Sequence, residues 1–175
     1  MKINIIDDIP DEGLSLDLTE EGHALTELAG GKLEYSFTSP VAVHLDLTKT
    51  DGNVFVSGDI KTGISVPCSR CLNEFVLPFE TDFSIFYTMG KEEETEKELK
   101  PGDIDVNYLS GPELDTTEMV LAQITLEMPM QPLCKPECKG LCPRCGADLN
   151  RGECGCPSEE KVDPRFAKLK GFKVE

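Results

Sequence analysis

Along much of this chain, apolar residues recur at every second position, the period of strands with one buried face. The first run is Leu33, Tyr35 and Phe37, followed after a break at Pro40 by Val41, Val43, Leu45 and Leu47. Thr50-Asp51-Gly52-Asn53 places Asp-Gly at the centre of a tight turn, which predicts a hairpin. Val54-Phe55-Val56 opens the next strand, which passes Gly58 and continues through Ile60, Ile64 and Val66 to Pro67. Phe75, Leu77, Phe79, Phe83, Ile85 and Tyr87 alternate again. Residues 33–88 thus predict an antiparallel sheet, open or barrel-like. Lys2 to Ile6 and Asp103 to Tyr108 suit short strands. Leu14, Leu16, Leu18, Leu25 and Leu28 lie in a mixed polar stretch that Gly30-Gly31 ends.

The period changes once. Asp115 followed by Glu118 has the spacing of a capping box, and Val120, Leu121, Ile124 and Met128 give the following helix an apolar face. Pro129 and Pro132 end it. The fold class read from these elements is α+β, with one main helix and an acidic β-rich body over 1–128. Residues 129–175 form a separate cysteine-rich lobe with a basic tail. In residues 133–157 the large apolar side chains are Leu133, Leu141 and Leu149, too few for a core, so the segment needs a staple. Lys91 to Lys100 is a charge run that reads as a solvated loop or frayed helix, with an acidic binding arm as the alternative. The tail suits a short helix after Asp163, with Pro164 at its first position.

The eight cysteines supply the staple. All of them fall in close pairs: Cys68/Cys71, Cys134/Cys138, Cys142/Cys145 and Cys154/Cys156. Zinc is held by knuckle-like turns that each offer two thiolates. Cys142-Pro143-Arg144-Cys145-Gly146 has those proportions, with Gly146 free to take positive φ, and Cys154-Gly155-Cys156 follows after the turn Leu149-Asn150-Arg151-Gly152. Cys142, Cys145, Cys154 and Cys156 are therefore predicted as one site. Cys68, Cys71, Cys134 and Cys138 are predicted as a second, clamping the tail to the body. The competing arrangement is a single site of Cys134, Cys138, Cys142 and Cys145, so the expectation is one or two zinc ions. Iron fits four thiolates as well. A redox dithiol at Cys68/Cys71, with Arg70 lowering a thiol pKa, is the further alternative, but Leu72 to Val76 lacks the helical face that usually follows such a pair.

Charge and the missing motifs narrow the function. Residues 1–128 carry 8 Lys+Arg against 26 Asp+Glu, a balance of −18, and residues 129–175 carry 9 against 7, a balance of +2. The body repels nucleic acid at long range and suits a basic protein partner, or simply solubility. No apolar run approaches the ~20 residues that span a bilayer, and the acidic start at Asp7-Asp8 is unlike a signal peptide. The expected location is the cytoplasm, where thiols stay reduced. The two histidines, His23 and His44, belong to no catalytic motif, and His44 alternates with Val43 and Leu45 and so is expected to face solvent. No phosphate loop, dinucleotide fingerprint, zinc-hydrolase signature or nucleophile elbow is present. A non-enzymatic protein with no small-molecule substrate and no membrane contact is expected.

Several stretches resemble the YceD family of bacterial and plastid proteins. They are Cys68-Ser69-Arg70-Cys71-Leu72 with Phe75 and Pro78, and Met128-Pro129-Met130-Gln131-Pro132-Leu133-Cys134. They continue as Cys138-Lys139-Gly140-Leu141-Cys142-Pro143-Arg144-Cys145-Gly146, Asp148-Leu149-Asn150, Cys154-Gly155-Cys156 and Asp163-Pro164-Arg165. The resemblance implies a role in accumulation or processing of the large-subunit ribosomal RNA, in ribosome biogenesis; the expected partner is that RNA or its precursor, or, from the acidity of the body, a basic ribosomal protein or another maturation factor. It carries no catalytic residues. A protein–protein adaptor or chaperone without RNA contact is the alternative. On the RNA reading, Lys135, Lys139, Arg144, Arg151, Arg165, Lys168 and Lys170 are the expected phosphate contacts. The plainer alternative is that they are solvated surface charges, since +2 over this segment is a modest excess.

Overall fold

The computed structural model describes residues 1–50, 53–90, 106–109 and 111–156. Its elements are β1 (Lys2–Asn4), β2 (Leu14–Glu20), α1 (Gly22–Leu28), β3 (Ser36–Phe37), β4 (Val41–Thr50) and β5 (Asn53–Pro67), followed by β6 (Glu74–Met89), β7 (Val106–Leu109), β8 (Glu113–Asp115) and α2 (Thr116–Glu127). The large sheet runs β2-β4-β5-β6-β7, with β3 paired to β5 beyond the end of β4; β1 and β8 form a separate two-stranded ribbon. All pairings are antiparallel except β6 with β7. The class is α+β, as the periodicity predicts.

Among the described residues the sheet does not close into a barrel. The path leaves β2 at one end and β7 at the other. Closure needs edge strands that meet along their length with a matched stagger. Here β7 spans four residues alongside a β6 of 16, and helices fill the inner side instead. The core gathers Val41, Val43, Leu45 and Leu47 of β4 with Val54, Val56, Ile60 and Ile64 of β5. Phe79 and Ile85 of β6 join them, as do Leu25 of α1 and Met119, Val120 and Ile124 of α2. Burying each of the larger aliphatic side chains contributes about 1.5–3 kcal/mol. The ribbon closes one end, with Ile3 and Leu114 in the same core.

The predicted hairpin forms as β4–β5, with Thr50 opposite Asn53; Asp51 and Gly52 themselves lie outside the described residues. Pro40 does separate two strands, but Leu33 and Tyr35 precede β3 without joining a strand. Two further elements form within the mixed polar stretch before Gly30-Gly31. Leu14, Leu16 and Leu18 alternate along β2, and Leu25 anchors α1, a seven-residue helix whose Glu21 cap makes no side-chain bond. Such a helix has no local start signal and is held by packing. At α2 the Asp115 carboxylate accepts from the N–H groups of Thr117 (3.0 Å) and Glu118 (3.3 Å), as the spacing predicts. The charge run 91–100 and the tail helix after Asp163 lie outside the described residues.

His44 lies on the outer sheet face, partly exposed. Its Nδ1 is 2.7 Å from Asp17 of β2 and its Nε2 3.4 Å from Asp46. The Asp17 hydrogen bond outweighs the desolvation that opposes it and, with the charges of Asp46, Asp17 and Asp59, raises its pKa above 6.5. A raised folded-state pKa means that this tie between β2 and β4 is complete below pH 6.5 and is lost as pH rises through the folded value. NMR titration of the His44 ring should show a pKa above 6.5 that Asp17→Asn returns toward it. In β5, a methyl on Gly58 would collide with the His44 carbonyl oxygen. Gly58→Ala should therefore cost about 1–3 kcal/mol in chemical denaturation, as overpacking does.

Candidate metal centres

The two longest strands, β5 and β6, are joined by a short turn that presents two thiols. β5 ends at Pro67 and β6 begins at Glu74. The Cys68 N–H donates to the Asn73 carbonyl at 2.9 Å, and the Leu72 N–H donates back to the Cys68 carbonyl at 2.9 Å. Leu72 closes the turn at φ +59°, in the left-handed region. The second Cys-x-x-Cys repeats this geometry. The Gly146 N–H donates to the Cys142 carbonyl at 2.9 Å, and Gly146 lies at φ +73°. Both turns are therefore knuckles of one kind. In the first, leucine occupies the position that favours glycine, at a cost of roughly 1–2 kcal/mol.

The chain that leaves α2 brings Cys134 and Cys138 onto the first knuckle. The sulfurs of Cys68, Cys71, Cys134 and Cys138 lie within 4.8 Å of one another. Cys68 and Cys138 are 3.8 Å apart, as are Cys71 and Cys134. A tetrahedral ion with metal–sulfur bonds of about 2.3 Å needs sulfur–sulfur edges of about 3.8 Å, so this donor set fits such an ion. Phe75, Leu133 and Leu141 pack around it. Cys142, Cys145, Cys154 and Cys156 form the second group within 4.8 Å, with Cys142 buried and Cys145 exposed. The grouping of Cys134 and Cys138 with Cys142 and Cys145 is not the arrangement present. Each set of four can hold a metal ion.

Electrostatics explains why such sets call for a cation. The Cys134 N–H lies 3.4 Å from the Cys68 sulfur; with the N–H groups of Cys71 and Arg70 it brings the Cys68 thiol down to about 6. Burial and the sulfurs of Cys68 and Cys138 push Cys134 up to about 12. In the other set, the N–H groups of Cys145 and Arg144 lower Cys142 to about 6. The thiols of Cys145 and Cys154 push Cys156 up to about 12. Four crowded sulfurs share their protons unevenly because adjacent thiolates repel; a bound cation removes that conflict.

Polar contacts fasten the cysteine-rich segment to the hairpin, and these were not identified in the sequence. The Arg70 guanidinium donates to the Cys138 carbonyl at 2.9 Å, and the Arg70 carbonyl accepts from the Leu141 N–H at 3.1 Å. Arg70 thus acts through carbonyl groups across the joint. Gly140 sits at φ +73°, where a methyl would lie 2.9 Å from that Arg70 carbonyl oxygen. Asn73 donates to Asp148 at 3.1 Å. The Asp148 carboxylate also accepts from the Asn150 N–H (2.9 Å) and side-chain amide (2.8 Å), and these bonds hold its pKa low. The Asn150 amide reaches the Cys138 sulfur at 3.4 Å. The only local signal was the Asp-x-Asn spacing, which favours a side-chain-capped turn. Gly140→Ala should loosen this joint by about 1–3 kcal/mol, read as earlier proteolysis within 129–156 while the β-sheet signal in circular dichroism persists.

Of the expected phosphate contacts, Lys135, Lys139, Arg144 and Arg151 are exposed on this segment. Arg151 lies 3.7 Å from Asp148, and the Lys139 N–H donates to the Asn150 side chain at 3.0 Å. Arg165, Lys168 and Lys170 lie outside the described residues. Among the described residues, no histidine joins a metal-binding group, and no helix is long and apolar enough to cross a membrane.

The family model described as large ribosomal RNA subunit accumulation protein YceD matches residues 56–173, a span that takes in all eight cysteines. A chloroplastic large ribosomal RNA subunit accumulation protein YCED homolog 1 of Zea mays is 29% identical over 158 residues, covering 74% of this chain and 54% of its own length. The Arabidopsis thaliana protein of the same description is 26% identical, covering 73% of this chain and 47% of its own length. An uncharacterized protein of Bacillus subtilis, YlbN, is 30% identical over 92% of this chain and 88% of its own length. The chain spans about half the length of the plant relatives. A comparison with solved structures finds no match. By the family match across both thiol sets, the chain belongs to the YceD family of large ribosomal RNA subunit accumulation proteins.

Proposed function

We propose that this protein is a non-enzymatic factor in accumulation of the large-subunit ribosomal RNA, acting in ribosome biogenesis in the reducing cytoplasm. The observation that carries the reading is the overlap of the family match with the two thiol sets and the joint between them. Each set holds one zinc ion, which has the tetrahedral preference and lack of redox chemistry that a structural four-thiolate site favours. The inner ion pins the cysteine-rich segment to the end of the β5–β6 hairpin, so that its exposed lysines and arginines are offered to RNA phosphates from a fixed support. Four thiolates around each ion leave no open position for catalysis. The redox alternative is disfavoured because Cys68 and Cys71 sit in a hairpin turn and share their site with two further sulfurs.

Two zinc ions per chain are expected in native mass spectrometry of protein purified without chelator. Zinc affinity should fall as pH falls, because the bound thiolates must shed protons, Cys134 and Cys156 at about 12 foremost. Cys71→Ser should lose one ion and the protection of 129–156 from proteolysis. One ion or none in the unaltered protein would refute the two-site assignment.

The functional reading is tested by depleting the protein and measuring mature large-subunit against small-subunit ribosomal RNA. A selective fall in the large-subunit RNA is expected, and an unchanged ratio would overturn the reading. RNA contact is tested separately. Replacing Arg144, Lys168 and Lys170 together by glutamine should weaken binding of a large-subunit RNA fragment. The log–log salt slope should become shallower by about 2, from about 0.7 per lost phosphate contact. The acidic body favours the adaptor alternative. If affinity capture retains one basic protein after ribonuclease, and the triple variant binds RNA unchanged, that reading replaces direct RNA contact.

A further inference from the structure

The outer face of the large sheet has no second layer among the described residues. Both helices and the β1–β8 ribbon contribute their buried residues to the core on the inner face. On the outer face, cross-strand register aligns Asp17, His44, Asp59 and Asp82 in one row over β2, β4, β5 and β6. One step along lie Ser15, Asp46, Ser57 and Ser84; on the other side lie Thr19, Ala42, Lys61 and Glu80. The cation Lys61 is already shared between Asp59 (3.3 Å) and Glu80 (3.2 Å), and His44 is held by Asp17 and Asp46. The face is therefore net acidic at its centre.

Toward the β4–β5 turn the same face becomes aromatic. Phe55 stands directly opposite Phe86, and Tyr108 of β7 opposite Thr88. These aromatic residues are 44%, 37% and 47% exposed, although alternation along a sheet gives an outward position no structural need for them. Exposed aromatics on a sheet serve RNA when lysines and arginines surround them. Here the flanking outer-face positions are Thr48, Ser57, Ser84 and Thr88, with no lysine or arginine among them, and the charged groups next along the face are the carboxylates Asp46, Asp59 and Asp82, which repel phosphate. The complementary ligand carries several planar cations, one to stack on the rings and others to pair with the carboxylates further along, which describes a run of arginine guanidinium groups.

We propose that the outer sheet face, from the Phe55–Phe86 pair to the Asp59–Asp82 row, docks an extended arginine-rich segment of a basic protein. The aromatic pair and the acidic row are four residues apart along β5, about 14 Å at the strand rise. A segment of about five extended residues covers that distance. Its alternate side chains then meet the phenyl rings, the region of Asp46, and Asp59 with Asp82. The inference deepens the assembly-factor reading and rests on it for the setting in which the partner is met. It also separates the two partners in space: the sheet face takes the basic protein, and the cysteine-rich segment faces RNA.

The test uses the full zinc-loaded chain and a fluorescent peptide of about ten alternating arginine and glycine residues, long enough to cross the face. A glutamate–glycine peptide and an oligouridine of equal length serve as comparisons. Asp59→Asn with Asp82→Asn, and separately Phe55→Ser with Phe86→Ser, should each weaken arginine-peptide binding by about tenfold or more. Glu27→Gln with Glu113→Gln removes the same charge from α1 and β8, and should change binding by less than about twofold. Equal weakening by the Glu27/Glu113 pair would reduce the effect to attraction by net charge and overturn the proposal. So would oligouridine binding that disappears with the Phe55/Phe86 pair. The aspartate pair replaces polar outer-face groups isosterically, so it decides the matter even where the phenylalanine pair impairs folding. Peptide titration needs no ribosome, so its failure is distinguishable from an unchanged ribosomal RNA ratio, which strikes the functional reading alone.

Discussion

The cysteine-rich segment depends on one joint, the cluster of Cys68, Cys71, Cys134 and Cys138 at the end of the β5–β6 hairpin. The segment has few large apolar side chains and cannot repay the conformational entropy of ordering itself. The small apolar set around the cluster is Phe75, Leu133 and Leu141. What holds the segment is directional: sulfurs brought to tetrahedral spacing, the Arg70 guanidinium on the Cys138 carbonyl, and Asn73 on Asp148. These contacts leave little freedom in how the segment meets the sheet. A purely hydrophobic contact of the same size would tolerate sliding.

That joint gives the long hairpin a purpose. β5 and β6 are the two longest strands, 15 and 16 residues, and their shared turn lies at the end opposite Thr50 and Asn53. The body supplies the ordinary stability: aliphatic residues of β4 and β5, covered by α2 and α1. None of the residues of that core is a cysteine, whereas the segment beyond Pro132 has no comparable core. The protein therefore joins two modes of stabilisation, one by area and one by coordination geometry, with Arg70, Gly140, Asp148 and Asn150 where they meet.

The fold also arranges the carboxylates of the strands. Along the chain, carboxylates are scattered from Asp7 to Glu127. Strand register brings Asp17, Asp59 and Asp82 into one line although they are far apart in sequence. A negative sheet face and a segment that exposes Lys135, Lys139, Arg144 and Arg151 present unlike local charge to a ligand. This charge contrast is what supports the proposal that the protein brings unlike components together.

Local signals determined the strands over 41–87, the Asp115 cap of α2 and the identity of the thiol groups as candidate ligands, because alternation, capping and Cys-x-x-Cys turns are decided within a few residues. They did not settle β2 and α1, whose sequence signals are mixed with charge and which are fixed by packing of Leu16, Leu18 and Leu25. They left closure of the sheet open, because that depends on whether two edges meet, and they missed the parallel pairing of β7. They left the grouping of the cysteines open too, since Cys68 and Cys138 are 70 residues apart and nothing in their spacing says that they are neighbours. Arg70, Asn73, Asp148 and Asn150 were invisible as a set for the same reason. Strand, cap and ligand chemistry is thus legible residue by residue along the chain. Tertiary structure decided which of these residues meet, because contacts between distant segments are selected by the packing and register of the whole sheet.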